Sequence, residues 1–490
     1  MAETFQLYID GAFCNAEGPA TFESLDPSTG KTWALMPKAS AADTDRAVRA
    51  ASAAFNAGPW PALTATARGK LLYKLAELVA RDASIIAELE TRDTGKVIRE
   101  TKAVTGYVAE YYRYFAGLAD KIEGATFPID KPDMEVSTWR EPLGVVAAIV
   151  PWNSQMFLTA TKLGPALAAG NTVVIKASEV GPAPLLHFAK LVHEAGFPAG
   201  VVNIITGFGA DCGQVLTSHS LVARVAFTGG VETARHVVRN TAENFAVTTL
   251  ELGGKSPVIV FDDANLDSAL NGVIAGIWGA TGQSCVAGSR LLVHESIHDE
   301  FVARLAKRAG EIKMGAPLDM ATEMGPLATL KQVQRAEKLI EASVAAGAVL
   351  VTGGKAKKGA GYYFEPTILL ATTVELACVR EEFFGPVLSV LKFKTEAEAV
   401  ALANGTNYAF AAGIFTQNLG RAHRLTKKIR AGVVWVNTYR AVSPIVPFGG
   451  NGYTGHGREG GLDSIRDYTR TKSIWINTSD VPMADPFVMR

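Results

Sequence analysis

The sequence predicts an α/β protein in which parallel sheets are covered by helices on both faces, and three observations carry that reading. The chain has 490 residues, 48% of them hydrophobic and 20% charged. That is enough apolar material for several cores, and the length suggests about three domains. From residue 144 onward, short apolar runs alternate with helix-length segments, as the βα repeats of a parallel sheet require. The same alternation resumes after residue 256 and continues to about residue 440, which points to a second α/β unit.

The elements follow in order. Residues 41–57 and 66–90 place Ala and Leu at helical spacing with charges on the opposite face, so each reads as an amphipathic helix. Strands are predicted at 145–150, 172–175, 201–205, 224–227 and 247–250, with helices near 183–195, 211–218 and 231–242. The second unit begins with a strand at 257–261, a helix over about 267–281 and a strand at 290–294. It includes further strands at 384–393 and 413–415. Residues 134–140 and 471–477 alternate polar and apolar positions outside both units. They are expected to be β arms that pair with each other or with another subunit.

Charge and cysteine content exclude several classes. Lys plus Arg and Asp plus Glu both total 48, so nothing selects for nucleic acid or an anionic membrane surface. The cysteines, Cys14, Cys212, Cys285 and Cys378, form neither a disulfide framework nor a metal-ligand spacing, which suits a reducing compartment. The eight histidines are dispersed, and no metal site is expected. The start, Met1-Ala-Glu-Thr-Phe, lacks a signal-peptide pattern, and the apolar run 144–150 is stopped by Pro151. The chain is expected to be soluble and cytoplasmic.

The chemistry is concentrated in a few runs. Cys285 lies in Gly282-Gln283-Ser284-Cys285-Val286-Ala287-Gly288, a small-residue stretch where a thiol can meet a substrate. Glu251 ends an apolar strand in Leu250-Glu251-Leu252-Gly253-Gly254-Lys255. A thiol nucleophile with a buried carboxylate base is a covalent-catalysis pair. Pro151-Trp152-Asn153 follows a strand directly, at the sheet edge where α/β proteins place ligands, and the Asn153 amide could donate to an oxyanion. Lys176 and Glu179 follow the next strand, a cation and a carboxylate suited to phosphate or ribose. The glycine-rich run 207–213 has the wrong spacing for a dinucleotide fingerprint and is weak evidence by itself. Phe227-Thr228-Gly229-Gly230 opens a helix, which suits a pyrophosphate. Taken singly, Glu251 could be a strand-end ion-pair partner, Asn153 a turn former and Lys255 a structural contact. Cys14, Cys212 and Cys378 read as buried filler.

Taken together, these runs resemble the motif set of the NAD(P)-dependent aldehyde dehydrogenase superfamily over essentially the whole chain. Glu382-x-Phe384-Gly385-Pro386 and Pro447-Phe448-Gly449-Gly450 complete the set in the same order. The resemblance implies a Rossmann-like cofactor domain (1–122 and 143–252), an α/β catalytic domain (253–453) and a small β oligomerisation arm (123–142 and 466–490). It implies Cys285 as nucleophile, Asn153 with the Cys285 backbone N–H as oxyanion donors, and Glu251 as the base that activates water. For the cofactor it implies Lys176 and Glu179 on the adenosine ribose, and Trp152 and Gly230 at the pyrophosphate. Glu382 on the nicotinamide ribose and Phe384 beside it complete the implied contacts. Gly209, Gly213, Phe227, Thr228, Gly229 and Leu252 are expected in the same cleft. The cofactor is expected to be NAD, because Glu179 would repel a 2′-phosphate, with NADP the alternative.

The substrate pocket is expected to involve Ser154, Leu158, Thr161, Ser284, Val286 and Arg440. Ser154 and Thr161 stand where relatives acting on quaternary ammonium aldehydes carry aromatic rings, which disfavours a cationic substrate. Arg440 either favours an aldehyde bearing a carboxylate or another polar acceptor, or is a surface arginine. Two departures from the family stand out. Gly230 replaces a common Ser, and the proton-relay carboxylate expected just past Gly457-Arg458-Glu459 falls at Leu462; Glu459 itself reads as structural, positioning a loop. The partner is expected to be a small-molecule aldehyde, possessing no nucleic-acid or membrane character, and the assembly a homodimer or homotetramer. The competing functions are a CoA-acylating relative and a non-catalytic protein that retains the fold.

Overall fold

The computed structural model describes residues 2–488. An eight-stranded sheet runs in the order Gly455–His456, Val247–Glu251, Val222–Thr228, Val145–Val150, Thr172–Ala177, Val202–Thr206, Leu7–Ile9, Ala12–Cys14. Its five central strands are parallel, and the short strands at both ends are antiparallel. The first of the five in sequence, Val145–Val150, lies in the middle. The chain travels outward through Thr172–Ala177 and Val202–Thr206, then returns to pair Val222–Thr228 on the other side. That reversal leaves a crevice beyond the carboxyl ends of Val145–Val150 and Val222–Thr228, the place where open α/β sheets bind ligands.

A seven-stranded sheet follows in the order Val349–Thr352, Thr367–Leu370, Val387–Phe393, Arg290–His294, Pro257–Val260, Ala411–Phe415, Val433–Val436. All its pairs are parallel except Val349–Thr352 with Thr367–Leu370. Thr469–Asn477, Met134–Pro142 and Ala125–Phe127 form a separate three-stranded antiparallel sheet. The two predicted arms therefore pair with each other, Trp475 opposite Val136 and Lys472 opposite Trp139. Both tryptophans are largely exposed, and since 136 and 139 differ by an odd number they lie on opposite faces of the arm.

Differences from the expected elements have local causes. The segment 66–90 is two helices, Ala65–Arg81 and Ala83–Thr94, divided at Asp82, whose carboxylate binds Arg81 and His187 instead of continuing a helical face. A long helix, Ile98–Leu118, escaped the apolar pattern because its buried face carries Thr101, Thr105, Tyr111 and Tyr112 among the aliphatic residues. The helix expected over about 267–281 ends at Ile277, and a tight turn follows with Ala280 at φ 52° and Thr281 at φ 54°. Residues 384–386 precede rather than belong to the strand Val387–Phe393; Phe384 has φ 53°, and Pro386 lacks the N–H a ladder needs. The stretch 211–218 is a π-turn, Gly209–Gly213, running into the helix Gln214–Ser218. The N-terminal strands Leu7–Ile9, Ala12–Cys14, Thr21–Asp26 and Lys31–Pro37 had no counterpart in the sequence reading. Among the described residues, no helix is long and apolar enough to cross a membrane.

Candidate active site

Two adjoining cavities open from the crevice of the eight-stranded sheet. The first, about 600 Å³, is lined by Lys176 and Glu179 after one strand, Gly209 and Gly213 of the π-turn, and the 227–230 run. The Lys176 ammonium pairs with the Glu179 carboxylate at 3.1 Å. Gly230 is the N-cap of the helix Val231–Asn240 and has no side-chain cap, so the free N–H groups of that first turn remain available to an anion. Trp152 stands edge-on to Phe384 with ring centroids 5.5 Å apart.

The second cavity, about 520 Å³, brings Asn153, Glu251, Leu252, Cys285, Glu382 and Phe384 to one surface and shares Trp152 and the 228–230 turn with the first. The nucleophile loop is held from several sides. The Glu100 carboxylate accepts the Ala280 N–H at 3.0 Å, and the Gln283 side chain accepts the Ala328 N–H at 2.9 Å. The Tyr439 hydroxyl donates to the Val286 carbonyl at 3.0 Å. Gly254 must lack a side chain, because a Cβ there would lie 2.3 Å from the Cys285 carbonyl oxygen. Asn153 donates its Nδ2–H to the Gln283 carbonyl at 3.1 Å, which fixes the amide beside the cysteine. The Glu382 carboxylate accepts the Gly254 N–H at 2.8 Å.

Electrostatics favour neutral acids in this cavity. Burial pushes the Cys285 thiol up to about 12, the Glu251 and Glu382 charges act in the same direction, and Arg440 opposes them. Burial also raises the Glu251 carboxyl well above its ordinary value, Glu459 raises it further, and Lys162 and Arg458 lower it. Neither Glu251 oxygen has a hydrogen-bond partner in the protein, as expected of a group that must turn toward a water or substrate. Glu382 is raised to about 7 by burial.

Glu459 and Lys162 correct the sequence reading. Leu462 is largely exposed, whereas Glu459 is buried and forms an ion pair with Lys162. Thr161 donates to Glu459 at 2.7 Å, and the Lys162 ammonium donates to Thr228 Oγ1 at 2.6 Å. The second carboxylate near Glu251 is thus in the Gly-Arg-Glu run itself. Glu459 also positions a loop as expected, exchanging backbone hydrogen bonds with Phe448. Lys162 had a signal that went unread: it is the sole charge in the fifteen-residue helix Gln155–Ala169. Lys255, expected as a structural contact, is buried with no hydrogen-bond partner and lies 4.9 Å from the centre of the Phe383 ring.

The expected substrate residues divide. Thr161 lines a third cavity of about 320 Å³ with Tyr111, Phe157, Trp435, Phe448 and Glu459. Leu158 and Val286 are buried, Ser154, Ser284 and Arg440 half-buried, and none of these five lines one of the three cavities. Ser154 accepts a hydrogen bond from the buried Lys96 at 3.1 Å.

A doubly wound sheet with a cofactor-sized cleft that opens on a cysteine, a carboxylic acid and an amide has the architecture of a nucleotide-cofactor enzyme. The comparisons specify it further. The sequence pattern of the aldehyde dehydrogenase family matches residues 13–474, and the chain belongs to that family. It is 62% identical over 489 residues, a coverage of 100% of each chain, to the (Z)-2-((N-methylformamido)methylene)-5-hydroxybutyrolactone dehydrogenase of Acinetobacter baylyi. It is 44% identical to aldehyde dehydrogenase 1 of Tanacetum cinerariifolium, covering 96% of this chain and 94% of that one. The NAD+ complex of an aldehyde dehydrogenase from Bacillus cereus superposes with a TM-score of 0.96 at 41% identity, with 97% of each chain covered.

Proposed function

We propose that the protein oxidises an aldehyde to a carboxylic acid with NAD, through a thioester on Cys285. The observation that carries this reading is the convergence of Cys285, Glu251, Asn153 and Glu382 on one cavity continuous with a nucleotide-sized cleft. Cys285 Sγ adds to the carbonyl carbon as the thiol proton passes to solvent water. The carbonyl oxygen becomes an oxyanion that accepts from Asn153 Nδ2 and the Cys285 backbone N–H. Bound NAD supplies the hydride acceptor and a positive ring charge. Glu251 then takes a proton from water, which attacks the thioester carbon; the C–S bond breaks, the acid leaves and the departing thiolate takes a proton from solvent to restore the thiol. The proton passes from Glu251 through water toward the Lys162–Glu459 pair.

The residues fit this cofactor. Glu179, held by Lys176, would take the adenosine ribose hydroxyls and oppose a 2′-phosphate, which favours NAD over NADP. The helix start at Gly230 would receive the pyrophosphate, with Trp152, Gly209, Gly213, Phe227, Thr228, Gly229 and Leu252 as walls. Glu382 and Phe384 would hold the nicotinamide ribose. The CoA-acylating alternative has no use for Glu251, and a non-catalytic role has none for the assembled set.

For the substrate, we propose an aldehyde carrying a carboxylate or another polar acceptor. A 5-hydroxybutyrolactone ring, the nucleus in the name of the Acinetobacter relative, is the closed form of a 4-oxo acid and so opens to such an aldehyde. The domain division is proposed as 1–122 with 143–252 for cofactor, 253–453 for catalysis, and 123–142 with 466–490 as the oligomerisation arm. The exposed apolar residues of the arm, Phe127, Trp139, Trp475 and Ile476, favour a dimer or a pair of dimers, and the four free cysteines suit a reducing compartment such as the cytoplasm. The test is NADH formation with a set of aliphatic, aromatic and semialdehyde substrates, with the acid product identified. Failure of every aldehyde, or a product that forms only with CoA, would overturn the reading.

A further inference from the structure

We propose that Lys96 is a positioning residue for the oxyanion donor: its ammonium, paired with Glu90 in the core, clamps the Ser154 hydroxyl and so holds the neighbouring Asn153 amide against the nucleophile loop. The inference rests on the aldehyde oxidation proposed above and deepens it. Lys96 lines neither of the two cavities of the site; it acts through Asn153.

The clamp is built from buried polar groups. Gly95 ends the helix Ala83–Thr94 at φ 77°, and the turn it makes brings Lys96 back beside Glu90. The Lys96 ammonium donates to Glu90 Oε1 at 3.0 Å and to Ser154 Oγ at 3.1 Å. The Glu90 side chain is 1% exposed and that of Lys96 9%. An ion pair so deep can often be replaced by apolar residues at no loss of stability. Stability alone therefore does not call for it, whereas its reach to Ser154 does. Ser154 is itself diverted. It stands at the N-cap of the helix Gln155–Ala169, where a serine ordinarily accepts an N–H of the first turn, yet it makes no such bond and has φ −163° and ψ 60°. Its hydroxyl takes the lysine instead.

The same elbow of chain grips the nucleophile side. Glu100, one helical turn beyond Lys96, accepts the Ala280 N–H at 3.0 Å, and the Ile98 N–H donates to the Pro317 carbonyl at 2.8 Å. A Cβ on Gly95 would stand 2.7 Å from Pro326 Cγ, and the adjoining Gly325 carbonyl accepts from Thr281 Oγ1 at 3.3 Å. The circuit closes where Asn153 Nδ2 donates to the Gln283 carbonyl at 3.1 Å. Lys96 and Glu100 thus brace the two walls between which the oxyanion forms, one from the amide side and one from the thiol side. The peptide joining Asn153 to Ser154 is planar and stiff, so a shift of Ser154 is passed to the amide. A misplacement of about 1 Å is enough to forfeit much of a catalytic group's effect.

The experiment is a double-mutant cycle between Lys96→Met and Asn153→Ala, read as the rate of NADH formation in a single turnover with NAD and the aldehyde that the wild type oxidises best. Against the wild-type background, Lys96→Met should lower that rate by about 10- to 100-fold. The dissociation constant of NAD and the rate of Cys285 alkylation by iodoacetamide should stay unchanged. Against Asn153→Ala the same change should cost nothing further, since the group it positions is gone. Ser154→Ala leaves the ion pair intact and should reproduce the loss; it decides the matter if Lys96→Met, which strands Glu90 in the core, does not fold. An undiminished rate in Ser154→Ala would overturn the proposal. So would an equal loss from Lys96→Met in both backgrounds, which is the mark of a purely structural pair, or a loss matched by weaker NAD binding or slower alkylation. A wild type that oxidises no aldehyde would overturn the dehydrogenase reading itself, a result distinct from these.

Discussion

Glu251 and Glu459 are buried carboxyl groups whose charges act on each other, with the Lys162 ammonium paired to the second of them. The carboxyl proposed as the base therefore holds its proton more tightly than an ordinary carboxyl does. Burial is the larger cause and the Glu459 charge the next. A base of this kind works at a pH well above that of an ordinary carboxylate, which suits an enzyme at neutral pH.

That relationship fixes the direction of two substitutions. Glu459→Gln removes a charge that raises Glu251, so the acid limb of the kcat profile should move to lower pH. Lys162→Met removes a charge that lowers it, so the limb should move to higher pH. Steady-state rates across a pH series check both; shifts of the same sign in the two variants would show that the pair does not act on Glu251 by its charge.

Replacing Glu251 itself should separate the two halves of the reaction. Glu251→Gln leaves Cys285 in place but removes the group that activates water, so rapid mixing with aldehyde and NAD should give a burst of NADH followed by slow turnover. The thermal stability should respond as well. Because the folded-state pKa is raised, the native protein holds this proton after the unfolded chain has released it, and stability falls as pH rises from the unfolded value toward the folded one. Each unit of separation corresponds to about 1.4 kcal/mol. The melting temperature of Glu251→Gln relative to wild type should therefore increase with pH across that interval, and calorimetry at a series of pH values measures it.

Asn153→Ala should reduce kcat by about 100- to 1000-fold, the usual loss for one oxyanion donor, while retaining NAD affinity. Cys285→Ala should abolish the NADH burst altogether. Stopped-flow traces with equilibrium binding of NAD distinguish a lost chemical step from a lost cofactor.

The arm offers a test that leaves the active site alone. Trp139→Glu and Trp475→Glu place charges on opposite faces of the three-stranded sheet. If either face meets another copy, the corresponding variant should dissociate, as read by light scattering on a sizing column. An unchanged mass for both would remove the arm from the assembly.

Much of this arrangement was legible in the sequence, for identifiable reasons. The parallel strands read well because they are buried on both sides, so Val145–Val150 and Arg290–His294 match the apolar runs residue for residue. Cys285, Glu251 and Asn153 stood out because each lies at or just past the end of an element, Cys285 and Glu251 beside glycines and Asn153 after Pro151-Trp152. What escaped was polar and buried. Lys162 and Glu459 are far apart in the chain and meet only through tertiary packing, so spacing could not pair them. The helix Ile98–Leu118 was missed because threonine and tyrosine supply much of its inner face.

The arm has one more consequence, for the order in which the molecule is built. Its two long strands, Met134–Pro142 and Thr469–Asn477, come from segments more than three hundred positions apart, as the Arg140–Thr469 hydrogen bond at a separation of 329 illustrates. Closing so large a loop is entropically costly until the intervening chain has condensed. The three-stranded sheet is then completed late, and if copies meet through it, an unfinished chain has no such surface to offer.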